Sequence, residues 1–137
     1  MRIMGLDIGD KRIGVAVSDE LEITSFPLEV YKNDNKLSGK IKDLISKYDI
    51  KNIVVGLPYT LRGELGPQAK NVIEFTDSLF KDMDVRVDYI DERYTTKIPL
   101  KILGKSVKRK KIDKFSAATI LSDYLQRRKD KIENPTQ

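Results

Sequence analysis

The amino-acid sequence predicts an α/β fold: a five-stranded mixed sheet in the order 3-2-1-4-5, flanked by helices. Three observations carry this expectation. Two apolar runs near the start, residues 3–7 and 12–18, are joined by a short Gly-containing turn, Ile8-Gly9-Asp10-Lys11, and read as a hairpin. Further on, segments of helical period alternate with short strand-like runs, the pattern of parallel strands joined by crossover helices. Right-handed crossovers then set the fourth strand beside the first, opposite the second.

The elements follow in order. The first strand spans 3–7 and the second 12–18. A third, residues 23–31, contains Pro27, which argues for an edge or a bulge. Residues 35–48 carry Leu37, Ile41, Leu44, Ile45 and Tyr48 at helical spacing. Residues 52–57 are a short apolar run of the kind found in buried parallel strands. Residues 66–80 form a second amphipathic helix through Ala69, Val72, Ile73, Thr76, Leu79 and Phe80. Residues 85–91 alternate Val85, Val87 and Tyr89 with Arg86 and Asp88, a half-exposed strand. Residues 94–103 read as an imperfect helix, broken near Pro99 and stopped by Gly104. A closing helix over 113–128 presents Ala117, Ala118, Ile120, Leu121, Tyr124 and Leu125. One domain is expected over 1–130, with a polar tail at 131–137.

Composition narrows the chemistry. The chain of 137 residues has no Cys and no His. Disulfides, thiolate sites, imidazole ligands and His-based acid–base catalysis are excluded. Any metal must be held by oxygen, which points to Mg²⁺ or Mn²⁺ rather than Zn²⁺. No apolar run approaches the roughly 20 residues of a membrane span. The N-terminus enters a strand directly, so no signal peptide and a cytoplasmic location are expected.

Charge is unevenly spread. The net charge is +5, yet residues 97–114 hold eight Lys or Arg and one acid, leaving −2 for the rest. Such a stripe suits a polyphosphate partner, or is a solvated Lys-rich loop.

The predicted topology gathers the carboxyl ends of strands one, four and five at one edge, where α/β sheets bind ligands. Asp7 ends the first strand there, and Asp91-Glu92 end the fifth. Asp7 reads as a metal or phosphate-site carboxylate, or as a turn-forming Asp. Glu92 reads as a ligand, or as a solvated acid paired with Arg93. Asp113 stands where a helix N-cap belongs.

Four segments in series carry a resemblance: GLDIGDKRIGVAVSD (5–19), VVGLPYTLRGELGPQA (54–69), DERYTT (91–96) and IDKFSAATILSDYL (112–125). Together they resemble the YqgF/RuvX family over nearly the whole chain. Its members are small bacterial proteins with an RNase H-like fold, described as Holliday junction resolvase-like proteins and as nucleases that process the 5′ end of pre-16S rRNA. Two stretches depart from the family. Leu61-Arg62-Gly63-Glu64 stands where a Met-Asp-Gly-Ser-like run is usual, and Tyr94-Thr95-Thr96 stands for an apolar-Ser-Thr.

The resemblance implies a metal-dependent nuclease. Phosphodiester hydrolysis without His calls for oxygen-bound ions, and two ions about 4 Å apart can activate water and stabilise the leaving oxygen. It implies Asp7, Glu92 and Asp113 as the catalytic and metal-binding carboxylates. Strand four ends Gly56-Leu57-Pro58, without the acid that RNase H-like nucleases usually carry there. Glu92 would then reach across two interstrand spacings, roughly 10 Å.

Around these acids, Gly9 is expected to take a backbone angle closed to other residues and admit phosphate. Lys11, Arg12 and Arg93 flank the site. Lys105, Lys108, Arg109, Lys110 and Lys111 would track a phosphate backbone with little sequence preference. Gly56, Pro58, Gly63 and Gly66 read as a loop over the site.

The expected partner is nucleic acid, precursor rRNA or branched DNA, with no membrane role. A monomer is expected, with a dimer as the alternative because resolvases match symmetric substrates. Three functions compete: the metal-dependent endonuclease, a sugar-kinase or actin-like ATPase suggested by DIGDKRIGVAV, and a nucleic-acid-binding module without catalysis. Length opposes the second, since such enzymes close two domains around the nucleotide.

Overall fold

The computed structural model describes residues 1–58, 65–91 and 109–133, with side chains of 115–130 in the last stretch. The strands are β1 (Arg2–Ile8), β2 (Arg12–Ser18), β3 (Ser25–Lys32), β4 (Ile50–Leu57) and β5 (Arg86–Asp91). The helices are α1 (Leu37–Lys47), α2 (Pro67–Phe80) and α3 (Arg109–Glu133). The sheet order is β3-β2-β1-β4-β5, as expected. β1–β2 and β2–β3 are antiparallel; β1–β4 and β4–β5 are parallel.

Both faces of the sheet are covered, which explains the continuous apolar runs of β1, β2 and β4. Met4, Leu6, Val15, Ile53, Val55 and Leu57 pack with Leu37 and Ile41 of α1 and Val72 and Phe80 of α2. Ile3, Ala16, Val54 and Ile90 pack instead against Ala117, Ile120, Leu121 and Leu125 of α3. The period-two alternation of each strand sorts its side chains between these two layers.

α3 crosses its face antiparallel to β1. Its C-terminal half meets the β2–β3 turn, where Arg128 Nη1 lies 3.1 Å from Glu22 Oε2. That turn sits beside the start of β1. Nearer its N-terminus, α3 meets Gly5, so its first turns lie toward the carboxyl end of β1. The β2–β3 turn is built on Asp19, whose Oδ1 accepts from Ile23 N at 2.7 Å and Thr24 N at 2.9 Å. These bonds, Thr24 foremost, hold the carboxyl below its ordinary range.

Pro27 satisfies both expectations attached to it. β3 is an edge strand, and its register jumps from Val15↔Glu29 to Ala16↔Pro27, leaving Leu28 as the extra residue of a bulge.

The closing helix departs from expectation at both ends. It begins at Arg109 rather than Asp113, so Asp113 lies inside the helix and is not its N-cap. Arg and Lys are good helix formers, and Arg109, Lys110 and Lys111 extend the helix backward past the Asp. They therefore belong to a helical first turn rather than a loop. At the other end the helix continues to Glu133, three residues into the expected tail. The helix expected over 94–103 lies outside the described residues. No helix among the described residues is long and apolar enough to cross a membrane.

Candidate nucleic-acid cleavage site

Asp7 is the penultimate residue of β1 and half-buried. The pleat puts it on the same face as Ile3 and Gly5, the face covered by α3. Among the described residues, the strand positions directly beside it on that face are glycines. Gly14 is its direct partner on β2. On the other side, Gly56 follows Val55, the partner of Leu6 on β4. Gly56 is thus a buried strand residue, not part of a loop over the site. Gly66 precedes α2 as its N-cap residue, with Pro67 in the first turn. Pro58 follows β4 directly, and Gly63 lies outside the described residues.

The turn after Asp7 is tight. Gly9 N donates to the Arg12 carbonyl at 2.9 Å. A Cβ on Gly9 would meet that oxygen at 2.8 Å, closer than carbon and oxygen can approach. The Gly9 backbone does not take a left-handed φ, so the expected conformational reason gives way to a steric one. Asn33, just beyond β3, ties the turn down: its Nδ2 donates to Gly9 O at 3.0 Å and its backbone N to Lys11 O at 2.9 Å. Sequence reasoning missed Asn33. Its contact spans 24 residues and leaves no local pattern.

Lys11 is exposed at the turn, and Arg12 is half-buried on the Asp7 face. Arg12 sits diagonally from Asp7, two positions from Gly14 along β2. A groove of about 460 Å³ opens beside the turn, lined by Lys11, Arg12, Lys32, Asn33, Asp10, Asp34 and Val30.

On β5, the even-numbered residues face α3. Ile90 packs against it, and Asp88 Oδ2 accepts from Tyr124 Oη at 2.6 Å. Leu57 pairs with Asp91, so β5 ends at the same edge as Asp7, two interstrand spacings away. Asp91, an odd position, belongs to the opposite face. Glu92, the next residue, lies outside the described residues, as do Arg93, Lys105 and Lys108. Asp113, Arg109, Lys110 and Lys111 have described backbone only, in the first turns of α3. Among the described residues no three carboxylates form a metal cluster; of the three expected, only Asp7 has a described side chain.

A mixed sheet of order β3-β2-β1-β4-β5 with an acid near the carboxyl end of β1 defines a domain of the RNase H-like type. Solved structures agree at the level of fold. The chain superposes on Thermus thermophilus RuvC in complex with a Holliday junction substrate with a TM-score of 0.61, at 17% identity, covering 94% of this chain and 96% of that one. For the fowlpox virus Holliday junction resolvase the TM-score is 0.55 at 16% identity, over 93% and 99%. The chain belongs to the RuvX family, whose sequence model, described as a Holliday junction resolvase, matches residues 1–127. Relatives named "Putative pre-16S rRNA nuclease" include one from Sulfurihydrogenibium sp., 49% identical over 92% of this chain and 90% of its own. Another, from Desulforudis audaxviator, is 43% identical over 94% and 96%.

Proposed function

We propose that the protein is a metal-dependent endonuclease that hydrolyses phosphodiester bonds of structured nucleic acid, in maturation of the 5′ end of pre-16S rRNA. The observation that carries this is the setting of Asp7: a strand-tip carboxylate between two side-chain-free positions, at the edge where β1, β4 and β5 all end. The relatives' names favour the RNA substrate.

Asp7, Glu92 and Asp113 are the proposed ligands. Asp113 is one helical turn before Ala117, whose carbonyl lies against Gly5, and Gly5 is two residues before Asp7. Stepping one turn along α3 and two residues along β1 moves in the same direction, toward the same edge. Glu92 is the next even-numbered residue after Asp88 and Ile90, which face α3. The donor set is all oxygen in a chain without His or Cys, which fits Mg²⁺ or Mn²⁺.

When bound, the metal supplies Lewis-acid activation of water and charge stabilisation at the phosphate. The chain's part is to hold the carboxylates, seat the scissile phosphate against the glycine-flanked gap, and draw the backbone in with Lys11, Arg12 and the first turn of α3. Arg109, Lys110 and Lys111 leave that turn without an acid, an arrangement that opposes the helix dipole and is relieved by a polyanion. Water adds to phosphorus, one P–O ester bond breaks, and the leaving oxygen takes up a proton.

A second reading, Holliday junction resolution, is favoured by the description of the family model. One experiment tests both. The protein is incubated with Mg²⁺ or Mn²⁺ and either a 5′-extended 16S precursor or a four-way DNA junction, beside Asp7→Asn. Asp7-dependent cleavage supports the nuclease reading, and the substrate cut chooses between the two. Failure to cut either substrate defeats both.

A further inference from the structure

Small residues make the contact between α3 and the sheet a smooth one. Gly5 meets Ala117 and Leu121, and Ala16 belongs to the same packed layer. Apolar contacts have no direction, so they hold the helix at a height and not at one angle of roll. The layer takes Ile3 from β1, Ala16 from β2, Val54 from β4 and Ile90 from β5, and among the described residues nothing from β3. Beside β3 the helix borders an open trough of about 580 Å³, between Pro27 and Phe115.

Three directed bonds supply what packing does not. Tyr124 Oη donates to Asp88 of β5, and Arg128 Nη1 to Glu22 of the β2–β3 turn. Ser25, the first residue of β3, donates through Oγ to the Ala118 carbonyl at 2.6 Å. Of the three, the Ser25 bond lies nearest the N-terminus of α3, and it pulls on the flank opposite to Tyr124. Its position is also the pliable one. Thr119 Oγ1 donates to Phe115 O at 2.8 Å, and back-bonding of this kind bends helices.

We infer that Ser25 is a positioning residue: by holding the Ala118 carbonyl it fixes the roll of α3, and with it the place of residue 113 over the edge that carries Asp7. This rests on the nuclease reading, in which Asp7 and Asp113 share a metal. Residue 113 lies five positions before Ala118, about 7.5 Å along the axis. By spacing it belongs to the helical stripe of Ala117, Ile120 and Tyr124. At about 5 Å from a helix axis, a roll of about 20° carries a group through nearly 2 Å. Ser25 touches neither metal nor substrate, so its hydroxyl governs metal affinity and the chemical step, and substrate capture is left alone.

The test uses the full chain as native protein, Ser25→Ala, Ser25→Thr and Thr76→Val. Thr76 donates to Val72 O inside α2, under the other face of the sheet, so its loss costs stability without touching α3. Mn²⁺ affinity is read by electron paramagnetic resonance on protein without nucleic acid. kcat and KM are read on a 5′-extended 16S precursor fragment and on a four-way DNA junction. Ser25→Ala is expected to bind Mn²⁺ about 10-fold more weakly and to lose about 10-fold in kcat, the lower end of what supporting groups around a metal site contribute, at unchanged KM. Ser25→Thr keeps the hydroxyl and should restore both. Thr76→Val should keep native Mn²⁺ affinity. If Ser25→Ala does not fold, Ser25→Cys, close in size and a weak donor, takes its place with a smaller loss expected. Native Mn²⁺ affinity in Ser25→Ala or Ser25→Cys, no rescue by Ser25→Thr, or an equal loss in Thr76→Val would overturn the role of Ser25. The nuclease reading fails separately, if the native protein cuts neither substrate.

Discussion

Gly5 lies directly beneath Leu121. A Cβ built on Gly5 would stand 2.7 Å from Leu121 Cβ and 3.1 Å from the carbonyl oxygen of Ala117. Neither obstacle is the end of a flexible side chain. The glycine lets α3 settle onto β1 at close range, and this contact sets the height of the helix's first turns above the edge that carries Asp7.

Gly5→Ala should therefore lift or slide α3. Overpacking of a tight contact costs about 1–3 kcal/mol. Chemical denaturation should show that loss with an unchanged m-value, and cleavage per folded molecule should fall as well. Gly39→Ala serves as the contrast. Gly39 lies within α1 with nothing within 4 Å of its would-be Cβ, so that change should be neutral or slightly stabilising.

Ser18 solves a hydrogen-bonding problem at the other end of β1. The β1–β4 register shifts between Arg2 and Ile3, and Ile3 N donates instead to Ser18 Oγ at 2.8 Å. The hydroxyl in turn donates to Asp19 O at 2.9 Å. Ser18 is fully buried. Ser18→Ala leaves Ile3 N buried without an acceptor, at a cost of about 1–3 kcal/mol. Amide exchange at Ile3 should rise more than the loss of global stability alone explains.

The fold was legible because period and charge agree along most of the chain. β2 is bounded by Arg12 and by Asp19, and the alternation of β5 shows in its sequence. What resisted were features set by partners distant in sequence. The start of α3 was read at Asp113 because Asp caps helices, whereas the run Arg109–Lys111 favours continued helix. Gly14 and Gly56 look like ordinary weak points in strands until the register puts both beside Asp7. Asn33 has no motif; it reaches the Gly9 turn only because β3 folds back on β2.

Alkaline stability should report the Tyr124–Asp88 bond. Partial burial, then the hydrogen bond to Asp88 and its charge, push the Tyr124 hydroxyl up from 10.0 to about 12. Above pH 10 the unfolded chain releases this proton while the folded one keeps it. The contribution is complete below pH 10 and is lost as pH rises through about 12. Burial raises Tyr31 and Tyr89 too, so the decline is shared. Tyr124→Phe should cost about 1 kcal/mol near neutrality. It should also flatten the fall above pH 10, as urea titrations at stepped pH would show.

If the proposed metal dependence holds, chelation should separate binding from chemistry. Chelation is expected to abolish cleavage while nucleic-acid affinity, which the proposed function assigns to cations such as Lys11 and Arg12, persists at low salt. Asp7→Asn should lose cleavage by at least about 100-fold even at saturating Mn²⁺, with affinity no weaker than wild type. A variant that regained full activity at high Mn²⁺ would make Asp7 an accessory to the metal site rather than its anchor.

The Gly9 turn tests whether the strand tip must be held rigidly. A methyl group at Gly9 cannot coexist with the Arg12 carbonyl 2.8 Å away, so Gly9→Ala forces the turn to shift. The shift acts two residues from Asp7 and on the peptide that Asn33 grips. Small displacements of a catalytic group are costly, about 100-fold for 1 Å. Gly9→Ala is expected to lower kcat by that order with little change in KM and a modest loss of Tm. Asn33→Ala, which removes the brace but adds no clash, should lower kcat less. If Gly9→Ala instead raised KM at constant kcat, the turn would serve phosphate contact and not the placement of Asp7. Single-turnover kinetics with the cleavable substrate distinguishes the two outcomes directly.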